Sequence, residues 1–492
     1  MEFVEPLLRE AGTVPKKTGF FGLSLRASVV GIAVVVVALL VAVTAGAVPG
    51  GIVAAVGLLA IVPMSVTIRG RSVYEQVEIM WQFWRKKRSG QLTIHTGPSF
   101  ASPGRALPLV LGRMEMIEWP TDGVGNPFGL LRLPSTGHYT VVLKCWPGGE
   151  EARTQDERNL AALEWGRYLA QLSLPGDIVA AQVVVESFPA TGQGLAWRVE
   201  QHLSPNSPPL AQEVMRESAE TFPTGALTQE CRLSLTFQAG SKRTREDGEA
   251  MAAELANRLP ALYQDLMGAG VQALPMTGAQ LTQVAHRAFV PEAEADLEFA
   301  HLTGEETGLE WTTCGPETTK TEWASYRHAG GVSSVWEMMM APQSRFTDQV
   351  LLPLLAPTPD LPRKRVTITY RPVRAADATK IVDKEYKDAL IALQTGKAVK
   401  SAAAEVRLQS TEQARDEQVR GAGLVRYSLL LTITEDSAET LPSAEAILQG
   451  LSTRSRISIQ RAYGFQDMAF QAGLGLGVLL PEHVSTSGMG RR

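Results

Sequence analysis

Leu424-Val425-Arg426-Tyr427-Ser428-Leu429-Leu430-Leu431-Thr432-Ile433-Thr434 is the strongest strand signal in the chain. It is rich in β-branched and large apolar residues and free of glycine, proline, aspartate and asparagine, the composition of a pleated, largely buried surface. The segments around it repeat one pattern. Before it, Val366, Ile368 and Tyr370 mark one face of a strand that leads into a helix from Ala376 to Leu393. After it come a helix over Ser443 to Leu451 and a strand over Ile457 to Ala462. Between them, Lys397 to Arg420 is charged, alanine-rich and poor in large apolar residues, and reads as an exposed helix or a mobile insertion.

The same pattern occurs earlier. Tyr139 to Cys145 is strand-like, Asp156 to Leu172 helix-like and Ile178 to Ser187 strand-like. Arg232 to Phe237 alternates with period two, Met251, Leu255, Leu259, Leu262 and Leu266 form a helical apolar stripe, and Val271 to Leu274 supplies a return strand. Repeated strand-helix-strand units separated by long segments predict an α+β protein with ferredoxin-like domains around mixed sheets. Solenoid repeats of short fixed period are absent.

The N-terminal region has a different composition. No charged side chain occurs from Ala27 to Ile68, and Val48-Pro49-Gly50-Gly51 interrupts the run near its middle. One straight helix of that length would reach roughly 60 Å, about twice the hydrocarbon thickness of a bilayer. A fold-back at Pro49-Gly50-Gly51 predicts a two-helix transmembrane hairpin with spans of about 18 to 20 residues. Lys16, Lys17 and Arg26 precede it, and Arg69, Arg71 and Arg85-Lys86-Lys87-Arg88 follow. By the positive-inside rule this predicts a multi-pass plasma-membrane protein with both termini cytoplasmic. The alternative, a signal peptide cleaved at Ala45-Gly46-Ala47, sits poorly with an apolar core longer than the usual h-region and a second apolar run directly behind it.

Ser72 to Arg88 reads as a helix with Val73, Val77, Met80, Trp81 and Trp84 at helical spacing and a basic end. Trp81, Trp84, Arg85, Lys86, Lys87 and Arg88 are candidate membrane-interface residues, because tryptophan favours the headgroup level and clustered cations attract anionic lipid. A Trp face packed on the following domain is the other reading. Gly97-Pro98-Ser99 and Ser102-Pro103-Gly104 mark a linker. The expected organisation is a cytoplasmic N-terminal segment (1–26), the hairpin (27–68), the basic helix and linker (69–106), and α+β regions over 107–300 and 301–492.

A net charge of −4 on 492 residues gives no reason to expect direct nucleic-acid binding. Cys145, Cys231 and Cys314 are widely spaced, without a CxxC or a neighbouring histidine pair, and read as reduced, mostly buried residues. A phosphate loop ending in Gly-Lys-Ser/Thr is missing: Gly396-Lys397 is followed by alanine, and Ile391 stands where the first glycine belongs. The glycines of Gly123 to Gly129 read as a turn, and Gly473-Leu474-Gly475-Leu476-Gly477 as a strand or loop closing a domain. The acidic run Glu292 to Glu298, flanked by His286 and His301, reads as a solvated helix face rather than a metal site. There is no Gly-x-Ser-x-Gly elbow. The expectation is a non-enzyme with no cofactor. Asp377, Asp383, Glu385 and Asp388 alternate with Lys380, Lys384 and Lys387 as a salt-bridged, potentially docking face, and Met338-Met339-Met340 reads as core.

Four features carry a resemblance: the hairpin with its Arg69-Gly70-Arg71 exit, the Trp81-Phe83-Trp84 basic helix, the strand Arg365 to Pro372, and the closing stretch Tyr463 to Gly477. Together they resemble actinobacterial secretion or conjugation membrane proteins. The closing stretch is similar to the one that ends the N-terminal domain of type IV secretion ATPases of the TrbE/TraC kind, with Gly475 in place of a proline. The layout is also similar to EccE-type components of type VII secretion. The resemblance implies a membrane component, partnered by the lipid bilayer and by a separate secretion or conjugation ATPase, self-associating or part of a multiprotein complex, and without ATPase activity of its own. A membrane-anchored enzyme with an unrecognised site is the rival reading.

Overall fold

Strand-forming and helix-forming patterns alternate over most of the chain, and the computed structural model shows how they pair. It describes residues 25–65, 67–68, 71–96, 106–149, 153–221, 226–342, 345–395, 408–409, 411–416 and 423–483. The linker glycines and prolines of 97–104, most of the 397–420 insertion, and Lys16, Lys17 and Arg69 lie outside these residues. The chain divides into two compact units. One comprises Met1–Ala11, Leu92–Ala462 and Gln466–Leu479, the other Gly12–Gln91, Tyr463–Phe465 and Leu480–Arg492.

In the smaller unit two helices, Leu25–Ala45 and Ala47–Ser65, form a hairpin. The break falls at Gly46, whose φ of 103° suits glycine, and not at Pro49-Gly50-Gly51. Pro49 sits in the first turn of the second helix, where a missing N–H leaves no hydrogen bond unmade. Gly50 and Gly57 allow close approach: a Cβ on either would collide with Ala42 or Val34 of the facing helix. Val35, Leu39 and Val43 remain exposed.

The expected pair of membrane spans is corrected here. Among the described residues no helix is long and apolar enough to cross a membrane. This finding overturns both the transmembrane hairpin and the multi-pass plasma-membrane placement built on it. Two short antiparallel strands, β1 (Thr67–Ile68) and β2 (Arg71–Ser72), and the helix Val73–Arg88 follow.

The larger unit is built on one sheet of thirteen strands. They are β3 (Thr93–His95), β4 (Glu115–Trp119), β5 (Phe128–Leu133), β6 (His138–Pro147), β7 (Ile178–Pro189), β8 (Leu227–Gln238) and β9 (Val271–Pro275), then β10 (Thr318–Thr321), β11 (Tyr326–His328), β12 (Gly331–Met340), β13 (Lys364–Pro372), β14 (Val425–Glu435) and β15 (Ser458–Arg461). The order is β3-β10-β11-β12-β14-β13-β7-β8-β6-β5-β4, with β15 beside β12 and β9 beside β6. Every pairing is antiparallel, which corrects the expected mixed sheets. The protein is α+β, with helices connecting antiparallel strands.

That order contains a duplication. β4 to β9 lie as β4-β5-β6-β8-β7 with the last strand on β6, and β10 to β15 lie as β10-β11-β12-β14-β13 with the last strand on β12. Each half contains a strand-helix-strand, strand-helix-strand path of ferredoxin-like type. The registers agree residue by residue. After β9 the Met276 N–H donates to the Val142 carbonyl at 2.9 Å, and after β15 the Ala462 N–H donates to the Val335 carbonyl at 2.9 Å. Val142 faces Ser234, which faces Gln182; Val335 faces Thr432, which faces Arg365. The halves join through β7 and β13, with Val184 opposite Thr367 at the centre of a local two-fold relation.

One sheet face carries two apolar cores. Val141, Leu143, Leu233 and Leu235 pack with Tyr168 and Leu255 in the first half, and Val366, Leu429 and Leu431 with Leu448 in the second. The opposite face is polar at its centre, where Gln182, Ser234, Arg365, Thr367 and Thr369 are all buried. It is covered by the helix Gln466–Ala472 and the segment 473–479. Gln182 Nε2 donates to the Ala472 carbonyl at 3.3 Å and Thr367 Oγ1 to the Gly473 carbonyl at 2.6 Å. Gly475 and Gly477 have positive φ, and a side chain at either would strike Val184 or Thr140. The glycine-rich stretch therefore lies inside the molecule, across the joint.

Candidate functional site

Each joint strand carries buried charge: Glu186 after Val183-Val184-Val185 on β7, and Lys364 and Arg365 before Val366 on β13. The β7–β13 register sets Glu186 and Arg365 opposite each other. Arg365 Nε and Nη2 donate to Glu186 Oε1 at 3.0 and 2.6 Å. From β8, Arg232 Nη2 donates to Glu186 Oε2 at 2.7 Å. The helix Gly278–Phe289, started by a capping box of Thr277 and Gln280, brings in Arg287. Its Nη2 stands 3.6 Å from Glu186 Oε2 and donates to Glu230 at 2.6 Å, while its Nε lies 3.4 Å from Glu294. Its guanidinium also covers the Phe188 ring at 4.2 Å.

Burial alone would raise the Glu186 carboxyl, but Arg365, Arg232 and Arg287 outweigh it and hold the group well below the usual carboxylate range. Burial likewise raises Glu230, and Arg287 and Arg232 reverse the sign. Glu294 is pushed up, because burial outweighs its single guanidinium neighbour. Lys364 differs in kind: burial draws its ammonium down to about 8, and its Nζ donates to the Ala356 carbonyl at 2.7 Å.

A small cleft opens beside this network. Arg287, Arg363, Lys364 and Arg365 line it against one carboxylate, Glu186, which three guanidiniums already engage. Arg365 Nη1 and Thr432 Oγ1, both on buried side chains in the lining, have no hydrogen-bond partner. The cleft therefore favours a negatively charged group presented from outside.

A second arrangement nearby has catalytic residue types. His328 Nδ1 is 2.8 Å from the Phe289 carbonyl, Nε2 is 2.8 Å from Ser333 Oγ, and Ser333 Oγ is 2.8 Å from Thr434 Oγ1. An Nδ1–H donated to a carbonyl leaves Nε2 to accept from Ser333, as in a nucleophile–base pair. Burial holds the imidazole down at about 4, and Ser333 is wholly inaccessible. The pair is a buried structural link among Phe289, Tyr326 and Phe470.

Trp81 and Trp84 lie on the helix Val73–Arg88, both about half exposed. Arg85 stands over the Trp81 ring at 5.7 Å and Arg88 over the Trp84 ring at 4.6 Å, with Lys86 and Lys87 in the same last turn. The acidic run 292–298 is partly structural: Glu294 faces Arg287, and Glu298 accepts the Gly194 N–H at 3.1 Å. His286 bonds the Cys314 carbonyl at 2.8 Å. Among the described residues no cluster is suited to a metal ion. Asp383 pairs with Arg415 at 3.6 Å, and Met338 packs on the second core while Met340 is exposed.

Sequence reasoning missed Glu186, Arg232 and Arg287, although a lone glutamate after three valines was a visible signal. It also missed Asp122, which anchors the 123–126 turn by accepting the N–H groups of Val124, Gly125 and Asn126 and the Tyr263 hydroxyl. Residues 16–75 match a family described as Domain of unknown function (DUF8461), a match confined to the smaller unit. No curated protein matches the chain.

Proposed function

We propose that this chain is a non-enzymatic component of a bacterial secretion or conjugative transfer apparatus that docks a separate ATPase, and that the cleft at the joint receives an acidic side chain of that partner. The observation that supports the reading is the basic lining of the cleft, where Arg287, Arg363 and Arg365 stand with Glu186, a carboxylate already engaged by three guanidiniums. The His328–Ser333 pair near it is closed to substrate.

The test uses the purified full chain and the ATPase encoded beside it. Binding is expected to weaken with salt, since partly exposed charges are screened over about 8–10 Å at physiological ionic strength. Arg363→Glu, a change at the rim outside the Glu186 network, is expected to weaken binding about tenfold, the equivalent of ~1.4 kcal/mol. Equal binding by wild type and R363E, or nucleotide turnover by the chain alone, would overturn the proposal.

A further inference from the structure

The β6–β8 ladder brings together two cysteines that lie far apart in sequence: Cys145 is directly opposite Cys231. Directly opposed residues of an antiparallel pair have Cα atoms about 4.5–5.5 Å apart, inside the ~4.4–6.8 Å that a disulfide spans. Side chains opposite one another also leave the same face of the sheet. Both cysteines are free thiols.

The duplication makes the pair more informative. The position equivalent to Cys145 is Met338, since Cys145 faces Ala273 on β9 as Met338 faces Ile459 on β15. By the same register, Leu429 stands where the first half has Cys231. The second half fills these positions with purely apolar side chains in its core. Packing of this fold therefore does not require a thiol at either position.

We propose that Cys145 and Cys231 form a reversible disulfide by exchange with a small disulfide such as oxidised glutathione. Cys231 is the attacking thiol. It is partly exposed and follows in the ladder next to Arg232, whereas Cys145 is buried. The Cys145 S–H donates to the Leu143 carbonyl at 3.7 Å, and the interaction between the two cysteine side chains draws the Cys231 thiol down and pushes Cys145 up. The Cys231 thiolate forms a bond to one sulfur of oxidised glutathione, its S–S bond breaks, and one glutathione leaves as a thiolate and takes up a proton. Cys145 then loses its proton and attacks the Cys231 sulfur of the mixed disulfide, expelling the second glutathione. Two protein thiols are oxidised and one glutathione disulfide is reduced to two thiols.

Cys314 is an internal control. It is buried, with its Sγ bonded to the Trp311 carbonyl at 3.4 Å, and burial pushes its thiol up to about 12. The experiment equilibrates the folded full chain with oxidised glutathione, quenches in acid, unfolds, and counts thiols while mapping linked peptides by mass. The expected count falls from three to one, with the peptide of Cys145 joined to that of Cys231 and Cys314 still reduced. Dithiothreitol should restore three. Cys145→Ser removes the resolving thiol and should trap one glutathione on Cys231, whereas Cys231→Ser should leave both remaining thiols free. Three thiols retained by the oxidised wild type, or a linkage that includes Cys314, would overturn the proposal. The wild-type count decides it even where a variant fails to fold.

Discussion

Two rows of side chains cross the centre of the sheet on the same face and are counterparts of one another. In one, Val335, Thr432, Arg365 and Glu186 follow each other across four strands; in the other, Val142, Ser234, Gln182 and Thr369 occupy the equivalent places. The first closes the joint with an ion pair, and the second closes it with a hydrogen bond from Gln182 Nε2 to Thr369 Oγ1 at 3.1 Å. The duplication has kept the register and changed the chemistry. Since the neutral row joins β7 to β13 as well as the ionic one, charge is not what strand pairing demands there. The ionic row lies where the basic cleft opens, and the neutral row lies where Gln182 contacts the Ala472 carbonyl.

The largest expected effect comes from breaking the ionic row on one side only. Glu186→Ala leaves Arg365 and Arg232 buried without their shared carboxylate, and should cost about 3–5 kcal/mol, as loss of one partner of a buried pair does. Glu186→Gln with Arg365→Gln, which imitates the neutral row, should recover most of that loss, because an uncompensated charge costs more than a missing pair. Urea midpoints measure both. A double variant as unstable as E186A would mean that the charges themselves hold the joint.

Next in size is the covering segment shared by the two rows. Gly477→Ala puts a methyl group into Thr140 at a residue with φ of 84°. Left-handed backbone costs roughly 1–2 kcal/mol for a non-glycine residue and overpacking about 1–3 kcal/mol, so a loss of several kcal/mol is expected in the same urea assay. Gly450→Ala, inside the helix Leu441–Arg454 where an added Cβ meets nothing within 4 Å, should instead gain about 0.5–1 kcal/mol and serves as the contrasting control.

The pH dependence separates the rows without a structural lesion. Glu186 is held below its ordinary value in the folded state, so its contribution is fully present above an unfolded pKa of about 4.3 and is lost as pH falls toward the folded one. E186Q should flatten the acid limb of the stability curve, and changes at Gln182 or Thr369 should not. Lys364 acts in the opposite range. Its folded pKa is lowered to about 8, so between about 8 and 10.4 the unfolded chain holds the extra proton and stability should rise with pH. Lys364→Met should remove that rise.

How much of this was legible in the sequence depends on how local the cause is. The strands around Val366, Leu429 and Val141 follow from alternation and β-branching and fall within a few residues of where the pattern puts them. The β7–β13 pairing joins residues about 180 positions apart, and no local signal encodes it. The closing glycines read as a loose end because spaced glycine usually marks a turn; their positions under Val184 and Thr140 are set by distant strands. The hairpin break moved to Gly46 because proline is tolerated in a helix's first turn, so Pro49-Gly50-Gly51 was an ambiguous stop. For Glu186 the anomaly of a lone charge after three valines was readable, whereas Arg365 ends the basic run Arg363-Lys364-Arg365, and their opposition across the joint has no local signal.

The smallest expected effect belongs to the neutral row and sharpens the contrast most. Thr369→Val removes the acceptor of the Gln182 bond while keeping the β-branched shape that a strand favours. A neutral hydrogen bond is worth about 0.5–1.5 kcal/mol net, and Gln182 Nε2 keeps the Ala472 carbonyl as a second partner. The loss should therefore stay near ~1 kcal/mol and be the same at pH 3 and pH 7. If it instead approaches the loss from E186A, the rows are energetically alike, and the joint rests on hydrogen bonding across β7 and β13 whatever the charge. If it stays small, the joint's energetic weight lies with the ionic row, on the side that faces the cleft.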